Sequence, residues 1–140
     1  MTTTDSASVT YPTVEGLSVS LNDGVLTVLI DRPASLNSVN LAVLAGIADA
    51  MDAAGTDGRV KVVRLGGTGR GFSSGAGLDD DTQSSRGSLP TAIIDQANRA
   101  VRAIVEVPHP VVAVVHHVHR DQWKVVFGPF LSRLGWFLES

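Results

Sequence analysis

Six glycines fall within the stretch Gly66-Gly67-Thr68-Gly69-Arg70-Gly71-Phe72-Ser73-Ser74-Gly75-Ala76-Gly77, directly after the strand-like run Val60-Lys61-Val62-Val63-Arg64-Leu65. Glycine at this density marks backbone that must take positive φ or lie against a ligand, because a Cβ would forbid either. Such a loop presents bare N–H groups fixed at the end of a strand. Donors of that kind suit a phosphate or a developing oxyanion, since they stabilise negative charge without reorganising. The loop is therefore where chemistry is expected.

The rest of the chain fits around it. Residues 1–16 are a Ser/Thr-rich leader, expected to be loose as far as Thr13. Leu17-Ser18-Val19-Ser20-Leu21 and Val25-Leu26-Thr27-Val28-Leu29-Ile30 flank Asn22-Asp23-Gly24, residues that tolerate positive φ, so a β-hairpin is predicted. Asp31-Arg32-Pro33 ends the second strand. Leu41, Leu44, Ile47, Ala48 and Met51 recur at helical spacing, with Asp49 and Asp52 turned outward. They predict a helix over 41–53 that opens after Asn37-Ser38 and is closed by Gly55. Residues 60–65 read as a strand covered on both faces. After the glycine loop and a polar stretch over 79–87, Ser88-Leu89-Pro90 looks like a helix entry. Ile93, Ile94, Ala97, Ala100, Val101, Ile104 and Val105 then trace one apolar stripe, stopped by Pro108. Residues 110–115 predict another strand buried on both faces. Strand, helix, strand, helix, strand is α/β logic.

Composition excludes several functions. At 140 residues, with 44% hydrophobic and 18% charged side chains, the chain suits one packed domain. Eleven Lys and Arg against 14 Asp and Glu give a net charge of -3, so no basic face for nucleic acid is implied. The absence of cysteine excludes a disulfide framework, a thiol nucleophile and thiolate metal ligation, and fits a reducing, cytoplasmic setting. No signal peptide or membrane span is expected: the longest purely apolar run, 111–115, is far short of the ~20 residues a spanning helix needs.

Three segments, taken together, resemble the N-terminal half of the crotonase, or enoyl-CoA hydratase/isomerase, family. Asp31-Arg32-Pro33-Ala34-Ser35-Leu36-Asn37-Ser38-Val39 resembles its R-P-x-x-x-N-A-L segment. Gly69-Arg70-Gly71-Phe72-Ser73-Ser74-Gly75-Ala76-Gly77-Leu78 resembles its F-[SA]-[SA]-G-A-D-[LI] loop. Val107-Pro108-His109-Pro110-Val111-Val112-Ala113-Val114-Val115 resembles its K-P-V-I-A-A-V strand. The match covers residues 17–115. It implies a truncated ββα spiral fold that binds acyl-coenzyme A thioesters, coenzyme A entering as part of the substrate with no other cofactor. Two backbone N–H groups would stabilise an enolate oxygen. Carried over residue by residue, one donor falls on Ala76, while Ser74, Gly77, Leu78 and Asp79 fall where the family's loop passes coenzyme A and the acyl chain. Gly77 stands in place of the family's usual Asp.

Residues 116–140 depart from that pattern. The family continues with a glycine-rich turn that supplies the second donor, and later with glutamates that handle water and protons. Here the chain reads His116-His117-Val118-His119-Arg120, with no glycine before Gly128 and no Glu except Glu139. This change of character suggests an interrupted or frame-shifted coding sequence, and little or no activity is expected of the chain alone. Asp79, Asp80, Glu106 and His116 are guesses as a substitute base. Behind Pro129, Phe130, Leu131, Leu134, Phe137 and Leu138 lie at helical spacing, predicting an apolar-faced helix that patches the sheet or mediates self-association; a complementing C-terminal half is the other expected partner.

Other readings weigh less. Gly71-Phe72-Ser73-Ser74-Gly75 fits G-x-S-x-G, so Ser73 is a candidate hydrolase nucleophile, with Asp95 and one of His109, His116, His117 or His119 completing a triad. A nucleophile elbow must turn straight into a helix, and Ala76-Gly77-Leu78-Asp79-Asp80-Asp81 opens one poorly. A non-enzymatic interaction remnant is the alternative from another class. His117 and His119 lack a third metal ligand at suitable spacing, and Asp79-Asp80-Asp81 is most simply a solvated turn. Arg99 and Arg102 belong by default to an exposed helix face.

Overall fold

The computed structural model describes residues 9–77 and 91–115. The expectations for 116–140, the histidines after 115, Leu78, the Asp79–Asp81 run and the Ser88-Leu89-Pro90 helix entry lie outside those residues. Within them the element order is β1 (Leu17–Asn22), β2 (Val25–Ile30), α1 (Leu41–Thr56), β3 (Val62–Gly67), α2 (Thr91–Glu106) and β4 (Val111–Ala113).

The hairpin forms as its sequence dictates. Asp23 and Gly24 take positive φ of 48° and 81°, so the turn has two residues and Asn22 closes the ladder opposite Val25. β3 then pairs parallel to β2, and β4 parallel to β3, giving a sheet of order β1-β2-β3-β4 in which each parallel pair is joined through a helix. Register aligns the apolar positions. Val19, Val28 and Leu65 stand in one row and Leu21, Leu26, Val63 and Val111 in the next, all on one face. Against β1 and β2 packs α1, whose Val43, Leu44, Ile47, Ala48, Ala50, Met51 and Ala54 are buried; α2 packs on α1. Asn40 caps α1 by accepting the Val43 N–H at 2.9 Å.

Several boundaries and faces differ from expectation, each for a local reason. Gly55 does not close α1. The helix runs through it to Thr56, because the Ala54 carbonyl accepts both the Asp57 N–H at 3.2 Å and Nε2 of His109 at 3.0 Å. Leu41, in the first turn and ahead of the packed stripe, is exposed. Neither β3 nor β4 is covered on both faces among the described residues. Arg64 and Val112 sit side by side in register on the face away from α1, and both are exposed. β3 also starts at Val62 and takes in Gly66 and Gly67. The α2 stripe splits: Ile93 and Ala100 are buried against α1, whereas Ile94, Val101 and Val105 face outward. Arg99, expected on an exposed face, bridges the helices through Asp49 at 2.6 Å and Asp52 at 3.1 Å. Solvent screens that pair, so packing holds the helices together.

The leader is anchored before Thr13. Tyr11 donates its hydroxyl to Asp57 at 2.8 Å, and Val14 bridges to Leu17. Asp57 is buried, and it also takes the Arg59 backbone N–H at 3.0 Å and the guanidinium at 2.9 and 2.7 Å. Hydrogen bonds from Arg59 chiefly, joined by Tyr11, hold the Asp57 carboxyl well below the usual carboxylate range. Burial, then the Asp57 partner, pushes the Tyr11 phenol up to about 12. The signs set two limbs. A depressed carboxylate contributes stability above its unfolded pKa of about 4, lost as pH falls below it. A raised phenol keeps its contribution below about 10 and loses it towards 12. Urea unfolding across pH should show Asp57→Asn flattening the acid limb and Tyr11→Phe the alkaline one. Unchanged limbs would mean that the cluster adds nothing.

Candidate functional site

The parallel strands β2 and β3 end level with one another, at Ile30 and Gly67, and the segments that follow them run together. Beyond the carboxyl ends of neighbouring parallel strands is where open α/β sheets bind ligands. The ladder continues one step, the Thr68 N–H donating to the Ile30 carbonyl at 2.9 Å, and the Thr68 hydroxyl donates to Asp31 Oδ1 at 2.7 Å. The first segment contains a short 3-10 turn, Pro33–Ser35, and then two consecutive residues with positive φ, Leu36 at 54° and Asn37 at 57°. Asn accepts that conformation readily, whereas a branched side chain such as Leu does so at a cost of about 1–2 kcal/mol.

What holds the bend is Asn37, which is 1% exposed. Its Oδ1 accepts the Arg32 backbone N–H at 2.9 Å. Its Nδ2 donates to the carbonyls of Thr68 at 2.7 Å and Gly71 at 2.8 Å, gripping both ends of the first glycine turn. Arg32 reaches over the same bend to the Ser38 carbonyl at 2.9 Å. By sequence, Asn37 falls at the helix entry and in the segment that resembles the family's R-P-x-x-x-N-A-L. Neither position reveals that its amide is buried, because the partners lie more than thirty residues away.

From there the two segments run alongside each other. The Ser74 N–H donates to the Leu36 carbonyl at 2.9 Å, the Val39 N–H to the Gly75 carbonyl at 2.8 Å, and the Gly77 N–H to the Val39 carbonyl at 2.8 Å. Val39 and Ala76 thus form a parallel bridge. In a parallel bridge the bonds of one partner come from the residues flanking it, so Ala76 turns its own N–H to the opposite side. Among the described residues nothing accepts that N–H, and Ala76 is exposed while Gly77 is buried. Gly75, at φ 99°, makes the reversal that brings Ala76 alongside Val39.

Ser73 and Ser74 are engaged differently from a nucleophile. Ser73 donates its hydroxyl to the Asn37 carbonyl at 2.7 Å and accepts the Gly75 N–H at 3.1 Å; Ser74 donates to the Ser35 carbonyl at 3.2 Å. His109 sits against Ala54, in the last turn of α1, while Ser73 sits beside Asn37, ahead of its first turn. Fourteen residue steps from Asn40 to Ala54 put about 21 Å between those ends. Asp95 lies exposed in α2. The described residues thus bring together Ser74, Ala76 and Gly77, and leave Ser73, Asp95 and His109 apart.

A family model described as enoyl-CoA hydratase/isomerase matches residues 20–118. Among curated proteins, the chain is 32% identical over 98 residues to 1,2-epoxyphenylacetyl-CoA isomerase of Escherichia coli, covering 68% of this chain and 37% of that one. It is 35% identical over 103 residues to (7aS)-7a-methyl-1,5-dioxo-2,3,5,6,7,7a-hexahydro-1H-indene-carboxyl-CoA hydrolase of Mycobacterium tuberculosis, covering 71% and 40%. Among solved structures it is similar to an enoyl-CoA hydratase from Mycobacterium avium subsp. paratuberculosis, at 57% identity and a TM-score of 0.65, over 74% of this chain and 40% of that one. The chain therefore spans two fifths or less of the length of each of these proteins.

Proposed function

Since the chain belongs to the enoyl-CoA hydratase/isomerase family, we propose that it binds acyl-coenzyme A thioesters, with the Ala76 N–H directed at the thioester oxygen. One observation carries this reading: among the described residues nothing claims the exposed Ala76 donor, while the residues on either side of it are pinned to the Val39 segment. A fixed peptide donor stabilises an oxygen that gains charge, because nothing has to rotate into place when the charge appears. Ser74 and Gly77 lie close to it in the loop, and the family resemblance assigns Leu78 and Asp79, next in sequence, to coenzyme A and the acyl chain. No acid/base residue is assigned, so the proposal is a thioester-binding unit with one donor of the pair. The relatives named above include an isomerase, a hydrolase and a hydratase, and the reaction class accordingly stays outside the proposal.

The geometry favours this reading over ester hydrolysis, because the Ser73 proton is committed to a backbone carbonyl and no described histidine approaches it. The test is calorimetric titration of the chain with butyryl-coenzyme A, beside Ala76→Pro. Proline deletes the N–H and breaks no described hydrogen bond. A neutral hydrogen bond is worth about 1 kcal/mol net, so a loss of roughly fivefold to tenfold in affinity is expected, with binding of free coenzyme A unchanged. Absence of any binding by the wild-type chain refutes the proposal. Simple-ester hydrolysis that Ser73→Ala abolishes would install the hydrolase reading in its place.

A further inference from the structure

We propose that Asn37 is the positioning residue of the Ala76 donor, setting its place through the loop without touching the ligand. The inference rests on the thioester-binding reading for its functional consequence, but its structural half stands on the hydrogen bonds alone. The glycine loop has little else to fix it. Its φ/ψ freedom is wide, and Phe72 is the one large apolar side chain between Gly66 and Gly77, packed at the edge of the core. Every described bond that fastens the stretch from Thr68 to Gly77 to the rest of the chain, apart from the two that Thr68 makes to Ile30 and Asp31, ends on residues 35–39. Asn37 shapes that segment. Its amide holds the first glycine turn at Thr68 and Gly71, its carbonyl accepts the Ser73 hydroxyl, and its side-chain oxygen ties the bend back to Arg32.

Asn37→Asp isolates the effect. Aspartate has the same shape and the same tolerance of positive φ, and it still accepts from the Arg32 N–H. What changes is Nδ2: two donated bonds become a carboxylate oxygen facing two carbonyl oxygens. The loop must move away from such a contact, and Ala76 moves with it. Lowering the pH protonates the carboxyl and returns one donor, so part of the wild-type arrangement should return with it.

The experiment uses the whole 140-residue chain, labelled with nitrogen-15. In Asn37→Asp the Ala76 and Gly77 amide resonances should shift, and the Gly77 N–H, bonded to Val39 in the wild type, should exchange about tenfold faster, while Val28 and Val63 in the sheet keep their protection. Acid should partly reverse both changes. The second readout is acetoacetyl-coenzyme A, whose enolate has its own near-ultraviolet band: a well-placed donor favours the enolate, and the variant should bind it about tenfold more weakly, because a hydrogen bond to a charged oxygen is the stronger kind. Unmoved amides with unchanged exchange overturn the proposal, as does an unchanged enolate affinity in a variant whose amides have moved. If the wild-type chain binds no acetoacetyl-coenzyme A, the thioester reading fails and the amide data alone decide the role of Asn37. Should Asn37→Asp not fold, Ser73→Ala removes the bond to the Asn37 carbonyl together with the one accepted from the Gly75 N–H, and must shift the same amides to a smaller extent; no shift there refutes the inference.

Discussion

Purified as its 140 residues, the chain should hydrate crotonyl-coenzyme A at least about 10,000-fold more slowly than a complete hydratase of its family. Hydration needs two donors on the thioester oxygen, a group that activates water and a group that delivers a proton. The proposed function assigns one of these, the Ala76 donor, and no other among the described residues. Loss of one oxyanion donor costs about 100 to 1,000-fold, and loss of general acid–base help about 100 to 10,000-fold more, so the low ends alone multiply to about 10,000. In the two segments that make the site, the carboxylate present is Asp31, and it accepts the Thr68 hydroxyl at 2.7 Å. Glu106, a candidate substitute base by sequence, closes α2, the helix that packs on α1, and is exposed there. The assay follows loss of the conjugated thioester's absorbance, for the chain alone and mixed with a separately made C-terminal half of a family member. Rapid turnover by the chain alone would defeat the expectation and require a new acid/base pair, whereas turnover only in the mixture would make it one piece of a split enzyme.

The parts of this architecture that are local in sequence were legible, and those set by distant contacts were not. Asp23-Gly24 announces its turn because two adjacent residues accept positive φ, and the α1 stripe announces its buried face because 3.6-residue spacing is a local property. The glycine loop was likewise plain as backbone that turns, with Gly69 and Gly75 at positive φ. Its fastening was hidden, since Asn37 meets Thr68 and Gly71 only after β3 has paired with β2. Tyr11 and Asp57, forty-six residues apart, were invisible for the same reason. The apolar stripe of α2 shows another limit. Spacing reveals one apolar stripe, but not that Ile93, Ala97, Ala100 and Ile104 pack on the core while Ile94, Val101 and Val105 stay exposed.

Gly67→Ala should destabilise the chain by about 3 kcal/mol and loosen the donor loop with it. Gly67 is the last residue of β3 and is buried, its Cα facing the point where the loop folds back on the strand. A Cβ there would lie 2.7 Å from Asn37 Nδ2 and closer still to the carbonyl oxygens of Gly71 and Phe72. Flexible side-chain ends yield to an added methyl, but two backbone carbonyls and an amide already holding two bonds do not. Overpacking of this kind costs about 1–3 kcal/mol, and rigid neighbours put it at the upper end. Moving the carbonyls away would also stretch the Asn37 bond to Gly71, so the cost of the methyl and the cost of the broken bond fall on the same place. In urea, the unfolding midpoint should drop while its slope stays constant, and amide exchange should quicken from Thr68 to Gly77 before it does in β1 and β2. Gly71→Ala is the control, because a Cβ at Gly71 meets nothing within 4 Å and should leave the midpoint nearly unchanged. Equal midpoints for Gly67→Ala and the wild-type chain would show that the loop is not seated on β3, and the placement of Ala76 would then lose its foundation.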